Sequence, residues 1–385
     1  MLSATGRGTL AGGAVLTTTG YALGYGEAAA LGVTCLLAVA VAVLWALPAP
    51  VLDAERRTAP SRVVRGDTAE AVVTLTNTGD RTRRGLRALD RCGDRDIAVD
   101  VPPLRPGTSH ELRYALPTAR RGRVPVGPLR LERTDPLGLA RRMRPYGGSD
   151  TLLVRPRIRP LPVLPSGRAH HVEGPASDTA DDGSLTFHAL REYVLGDDLR
   201  RVHWRSTART GTLMVRQMVD VSLPHTTVVL DTRRRAHSSE DDFELAVDCA
   251  ASVACAAARS HFPVHLVGAA GPLLRTEGSG DDAEALLDAL AVVRPADLTS
   301  MTAAFDGLEH HRGGGTLIVV TGTGTGDTRG LGAVTRVRHR FDRVTVVYVG
   351  AETPTTHETS GPDVPQLRVT SLENLVTGWR REAAR

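Results

Sequence analysis

The chain has 385 residues, 41% of them hydrophobic and 4% aromatic, and carries a formal net charge of +4. That length holds two to three domains and that apolar content supports real cores, which excludes an intrinsically disordered chain. All 47 of its Lys+Arg residues are arginine, so a Walker-A lysine, a pyridoxal Schiff base and a lysine nucleophile are excluded. Cys35, Cys92, Cys249 and Cys255 have neither CxxC nor zinc spacing, which removes a disulfide scaffold, a zinc finger and a thioredoxin-type site.

The first predicted element is a pair of apolar segments. No charge falls between Arg7 and Glu27, or between Glu27 and Asp53. Residues 28–47 are dense in Leu, Val and Ala and long enough to cross a ~30 Å hydrocarbon core as a helix. Residues 9–25 are diluted by Gly12, Gly13 and Thr17 to Thr19. With a tight turn at Gly24 to Glu27, residues 1–52 read as a two-pass transmembrane hairpin with spans 9–25 and 28–47, against the lesser alternatives of a single-pass anchor with a poorly inserted first segment and a cleaved signal peptide. Trp45, Pro48 and Pro50 mark the exit, and Arg7, Arg56, Arg57, Arg62 and Arg65 flank the open end, while the turn carries only Glu27. The positive-inside rule then places both termini in the cytoplasm, at the cell membrane.

Residues 53–165 pattern as short strands. Ala71 to Asn77 alternates and ends at the turn Thr78-Gly79-Asp80. Asp96 to Val101, His110 to Leu116, Arg123 to Val126 and Leu129 to Arg133 follow, punctuated by Pro and Gly. Such spacing predicts a small β-sandwich. Arg65-Gly66-Asp67 is read as a polar turn, because a tripeptide is a weak adhesion signal. The arginine-rich stretch from Pro117 to Arg159 has few aromatics to stack bases. Anionic membrane lipid is therefore a simpler partner than nucleic acid, beside the equal alternative of a merely solvated face.

In residues 223–385 the period changes. Strands are predicted at His225 to Leu230, Val264 to Val267, Thr316 to Val320 and Val344 to Val349. Helices are predicted at Asp242 to His261, Ala283 to Val293, Thr302 to Glu309, Leu331 to His339 and Ser371 to Arg385. Alternation of this kind implies a doubly wound, mainly parallel sheet. The whole is an α+β multidomain protein.

Between these parts, residues 166–222 form a connector that crowds polar, aromatic and charged residues. It runs from Phe187 through Leu190, Arg191, Tyr193, Gly196, Asp197, Asp198, Arg200, Arg201, His203, Trp204, Arg205 and Arg209 to Val215 and Arg216. Arginine can fork onto a carboxylate or stack on Trp204, which gives a structural clamp. The same residue types also suit a docking surface for a partner. A catalytic Asp197/Asp198/His203 cluster is the third reading. No nucleophile or metal set stands beside it, so no catalytic residue is assigned.

The pattern F-x-x-L-R-x-Y-x-x-G-D-x-x-R-x-V-H-W-R-x-T-A-R in this connector resembles the core of the bacterial family called domain of unknown function 58. A second match lies in Arg121-Gly122-Arg123, Gly127-Pro128 and Asp135-Pro136-Leu137-Gly138-Leu139. The chain departs from the family's pattern at Val154-Arg155-Pro156, where an aromatic more often precedes the proline. The resemblance implies a membrane anchor, a β-rich region and a domain similar to von Willebrand factor type A. It also implies a non-enzymatic adaptor or scaffold role beside a MoxR-type AAA ATPase, in assembly or envelope-related processes. An enzyme built on the Asp/His cluster and an outward-facing adhesion module are the alternatives.

A von Willebrand type A domain normally holds Mg²⁺ with D-x-S-x-S after its first strand. Here Asp231 is present, but Arg233 and Arg235 stand in the serine places and Thr321-Gly322 stands where a later Asp is usual. Cations beside the site oppose a divalent ion, so the expectation is a degenerate, metal-free position with no cofactor. Thr321 to Asp327 is read as a strand-to-helix loop, since it lacks the G-x-G-x-x-G spacing of a dinucleotide cradle. His170-His171 and His310-His311 are adjacent pairs whose side chains diverge, so neither chelates readily. No small-molecule substrate is indicated.

Overall fold

The computed structural model describes residues 2–47, 52–164, 185–194, 197, 199–220, 225–309, 314–324, 329–350 and 364–384. It divides the chain into two units, Met1–Pro156 and Arg157–Arg385.

The first unit begins with α1 (Ala4–Leu23) and α2 (Gly26–Ala46). Ser3 caps α1 by accepting from the Gly6 N–H, and Gly24 ends it in the left-handed region at φ 75°, as a helix stop requires. The two helices pack through small residues. A Cβ on Gly20 would come within 2.4 Å of Ala29 N, and one on Gly32 within 2.5 Å of Thr17 N. The threonines that dilute α1 bond their hydroxyls back to its own carbonyls, Thr17 to Gly13 at 2.7 Å and Thr19 to Val15 at 2.7 Å, so they are compatible with apolar surroundings. Among the described residues, one helix, Gly26–Ala46, is long and apolar enough to cross a membrane.

Two sheets follow. The first is antiparallel, with β1 (Leu52–Ala59), β3 (Glu70–Asn77) and β6 (Ser109–Ala115) in the order β1-β3-β6. The second contains β2 (Arg62–Val64), β4 (Leu86–Cys92), β5 (Arg95–Val101), β7 (Gly122–Val126), β8 (Leu129–Thr134), β9 (Arg141–Tyr146) and β10 (Asp150–Arg155). Its order is β2-β10-β7-β4-β8-β9, with β5 also on β4. Val73, Leu75 and Leu112 of one sheet pack with Leu86, Ala88, Leu129 and Leu131 of the other, a sandwich core built by period-2 alternation. Inside it, Arg56 meets Asp90 at 2.7 Å with both side chains nearly dry, and Tyr114 also donates to Asp90. Gly127, at φ 99°, lets that guanidinium pass, since a Cβ there would lie 2.1 Å from Arg56 Nη1. Arg65-Gly66-Asp67 is a turn closed by the Asp67 N–H on Val64 O at 3.0 Å.

Residues 157–164, which the sequence reading places at the end of the sandwich domain, belong instead to the second unit. The Arg157 N–H donates to Asp248 Oδ1 at 2.9 Å, the Arg159 N–H donates to Ser252 Oγ at 3.1 Å, and Trp379 Nε1 donates to Pro162 O at 2.8 Å. Leu164 completes the core. Prolines and arginines gave this stretch no periodicity, so only tertiary contacts assign it.

The second unit holds a two-stranded ribbon, β11 (Leu185–Glu192) with β12 (Met214–Asp220), and α3 (Trp204–Thr210) between them. A six-stranded sheet follows, with β13 (Thr226–Leu230), β14 (Val264–Gly268), β15 (Gly271–Arg275), β16 (Thr316–Gly322), β17 (Arg343–Val349) and β18 (Gln366–Val369). Its order is β15-β14-β13-β16-β17-β18, parallel except at β15. One face, with Val228, Leu230, Ile318 and Val320, is covered by α4 (Glu240–Arg259), α5 (Asp282–Val292) and α8 (Leu372–Ala383). The other, with Val229, Leu317 and Val319, is covered by α6 (Thr302–Glu309) and α7 (Arg329–Val337). Strands buried on both faces explain why β13 and β16 read as continuous apolar runs. The edge strands β15 and β18 carry no such run and were not predicted.

Candidate functional site

Two places gather the residues singled out by the sequence. The first is the connector. The Arg191 guanidinium forks onto Asp197, with Nη1 to Oδ2 at 2.7 Å and Nη2 to Oδ1 at 2.6 Å. The Val194 N–H donates to the same carboxylate at 2.9 Å, and the Asp197 N–H donates to Val194 O at 3.0 Å. This closes the loop leaving β11. The Arg191 fork and the Val194 N–H hold the Asp197 carboxyl down from the ordinary 3.8 to about 2. The Tyr193 N–H is fixed on Leu213 O at 2.8 Å, which continues the β11–β12 pairing.

The arginine that forks onto a connector carboxylate is Arg191, which comes from the strand before the loop. Gly196 and Asp198 lie outside the described residues. His203 does not face Asp197. Its N–H donates to Met214 O at 2.8 Å, and its Nδ1 receives the Ser206 N–H at 3.3 Å as the cap of α3. Nδ1 also pairs with Ser206 Oγ at 2.8 Å. Val202 and Val215 are buried beneath. No cation–π contact to Trp204 occurs among the described residues; its ring is 68% exposed. Val194, Leu199 and Leu213 are also exposed, and Arg200, Arg205 and Arg209 stand on the surface beside them. The exposed leucines and valine were missed in sequence, since nothing in an apolar residue's identity says that its site is uncovered.

The second place is the carboxyl edge of the parallel sheet, where ligands commonly sit in open α/β folds. Asp231 directly follows β13 and is fully buried. Its Oδ1 accepts from the Arg233 N–H and Nε, each at 3.0 Å, and its Oδ2 from Arg233 Nη2 at 2.9 Å and Thr321 Oγ1 at 2.8 Å. The carboxylate is saturated by a guanidinium that the chain itself supplies. His237 bonds Asp231 O at 2.8 Å, and burial pushes its pKa down. Arg235 is exposed, while Arg234 pairs with Asp297 at 3.0 Å. Among the described residues no cluster of His, Cys, Asp or Glu has the makings of a metal site. Thr325 to Asp327 and both histidine pairs lie outside the described residues.

The family model described as "Protein of unknown function DUF58" matches residues 189–377, which supports that family for the connector and the α/β domain. No curated protein matches the chain. Among solved structures, similarity is partial. A CARDB domain from Pyrococcus furiosus, crystallised with di-metal ions, has 15% identity and a TM-score of 0.21, covering 27% of this chain and 93% of that one. The alkylpurine DNA glycosylase AlkC from Pseudomonas fluorescens has 14% identity and a TM-score of 0.21, covering 34% and 40%. A β-glucosidase from Listeria innocua has 15% identity and a TM-score of 0.16, covering 26% and 16%.

Proposed function

We propose that this chain is a membrane-anchored, non-enzymatic adaptor. In this reading the α1–α2 hairpin spans the cell membrane twice with both termini in the cytoplasm. The α/β domain, similar to von Willebrand factor type A, serves as a protein-binding module. The connector is its docking surface, and the partner is a MoxR-type AAA ATPase acting in assembly or envelope-related processes.

One observation carries the docking role. Trp204 is 68% exposed at the start of a helix whose cap, His203, is tied to the β12 backbone. A large aromatic on a fixed backbone beside exposed arginines is the composition of an interface anchor. Burial of Trp204 by a partner needs little reordering of the backbone. The capping role of His203 and the Arg191–Asp197 fork supports a site that presents a surface rather than one that moves protons.

The test is co-purification of the tagged full chain from native membranes in mild detergent, with quantitative mass spectrometry, beside an Arg200→Ala/Trp204→Ala form. Enrichment of an AAA ATPase that drops in the folded double variant is the expected result. An ATPase absent from both samples, with intact folded protein, would sink the adaptor reading.

A further inference from the structure

The open end of the helical hairpin is seated on one turn of the sandwich, Asp135 to Ala140. Ser3 Oγ donates to Gly138 O at 2.7 Å, and the Ser3 N–H to Leu139 O at 2.9 Å. Gly6 of α1 presses on the same carbonyl so closely that a Cβ there would lie 1.9 Å from it. Leu139 and Ala140 cluster with Val39, Ala42 and Ala46 of α2. At the strand that follows, Arg142 Nη1 donates to Leu47 O at 2.6 Å.

The turn is rigid. The buried Asp135 carboxylate accepts from the N–H groups of Leu137 at 2.8 Å and Ala140 at 2.5 Å, and Gly138 takes φ 68°. Leu137 stands at its tip, 66% exposed, and Met143 on β9 is 43% exposed. A lone exposed leucine is ordinary on a protein surface. What matters is its level along the hairpin. Val39 lies about 10 Å back from the last residue of α2 at 1.5 Å per residue. A turn packed from Val39 to Ala46 is therefore alongside the last two turns of α2. The 21 residues of that helix are about as long as a hydrocarbon core is thick. At the same end stand Trp45, 53% exposed, and the exposed cations Arg7, Arg141 and Arg144.

We infer that the Asp135–Ala140 turn is an interfacial wedge. Leu137 enters the boundary between headgroups and acyl chains of the bilayer that holds the hairpin, while Arg7, Arg141 and Arg144 meet its anionic headgroups. The inference rests on the membrane-hairpin reading proposed above. Its physical basis is the gathering of apolar tip, interfacial tryptophan and cationic belt at the same end of the hairpin, the combination that interfacial segments use. The wedge needs no folding on insertion, because Asp135 already closes the loop.

The test uses the full-length protein in vesicles of phosphatidylcholine with phosphatidylglycerol, with a nitrobenzoxadiazole label on single introduced cysteines and doxyl-labelled lipid as quencher. Three variants suffice: Leu137→Cys at the turn, Leu37→Cys on the outward side of α2, and Asp67→Cys near the end of β1 remote from α2. Labelled wild type supplies the blank for the native cysteines. Strong quenching at 137 and 37 with none at 67 is expected. Quenching at 37 without quenching at 137 overturns the wedge and leaves the hairpin standing. No quenching at 37 overturns the membrane reading, and the wedge with it. In pure phosphatidylcholine, quenching at 137 is expected to weaken, and Arg141→Gln/Arg144→Gln is expected to abolish that lipid difference. Equal quenching in both lipids overturns the headgroup half of the inference.

Discussion

Arg233 lies on Asp231 as a cation built into the chain, with Nε 3.0 Å and Nη2 2.9 Å from the two carboxylate oxygens and the side chains 4% and 0% exposed. Removing one partner of such a buried pair strands a charge, at a cost of about 3–5 kcal/mol, whereas replacing both by apolar groups of similar volume is often nearly neutral. Arg233→Ala is therefore expected to destabilise the α/β domain by roughly that amount. Asp231→Leu/Arg233→Met is expected to recover most of it. Thermal unfolding of the purified chain reads the difference; equal loss in both variants would contradict the pairing.

The hairpin gives a second expectation. Gly32 faces Thr17 N at 2.5 Å and Gly13 O at 2.7 Å for any added Cβ, and both neighbours are backbone. Gly32→Val must therefore push the helices apart. A Cβ on Gly13 would lie 3.0 Å from Cys35 Cβ, close to disulfide range after slight relaxation. Oxidation of Gly13→Cys is expected to consume two thiols by forming a Cys35 bond. Adding Gly32→Val is expected to suppress that bond, as thiol counting by mass spectrometry would show.

The connector loop has a pH limit. Asp197 is held from 3.8 down to about 2 by the Arg191 fork and the Val194 N–H, so the folded loop prefers the carboxylate more than the unfolded chain does. The contribution is complete above the ordinary value and fades as pH falls through the range to about 2. The carboxyl carbon shift of Asp197 is expected to titrate near 2 in wild type and to move up toward the ordinary value in Arg191→Ala. A wild-type midpoint at the ordinary value would rule out the fork in solution.

His203 separates a cap from a catalyst. As the acceptor for the Ser206 N–H, it is expected to be replaceable by Asn, a strong capping residue, while Ala costs the helix about 0.5–2 kcal/mol. Hydrogen exchange across residues 204–210 should show protection lost in His203→Ala and restored in His203→Asn. A phenotype that Asn fails to rescue, with protection intact, would favour a chemical role for the imidazole.

Much of the architecture was legible because burial imposes period. Ala71 to Asn77 alternates and is β3; the continuous runs before Asp231 and Thr321 are β13 and β16; the closing helix expected from Ser371 is α8, with Ser371 as its cap. The strands that escaped notice are edge or charge-bearing ones. β1 carries Asp53, Glu55 and Arg57 on its exposed positions, and half of β9 is arginine, with no fully buried residue. Their partners, not their own composition, make them strands.

The sequence by itself determined the absence of lysine chemistry, the apolar segment 28–47 that forms most of α2, the order of β-rich and α/β regions, and the crowded motif from Arg191 to Arg209. These depend on composition and on neighbours within a few turns. Only the tertiary structure decided that Arg191 takes Asp197, that Arg233 fills Asp231, that residues 157–164 belong to α4 and α8, and that Leu139 seats the hairpin. Each is a pairing between groups set by how strands and helices stack. A side chain's reach is a few ångströms, and its residue type does not say which neighbour the fold will bring within that distance.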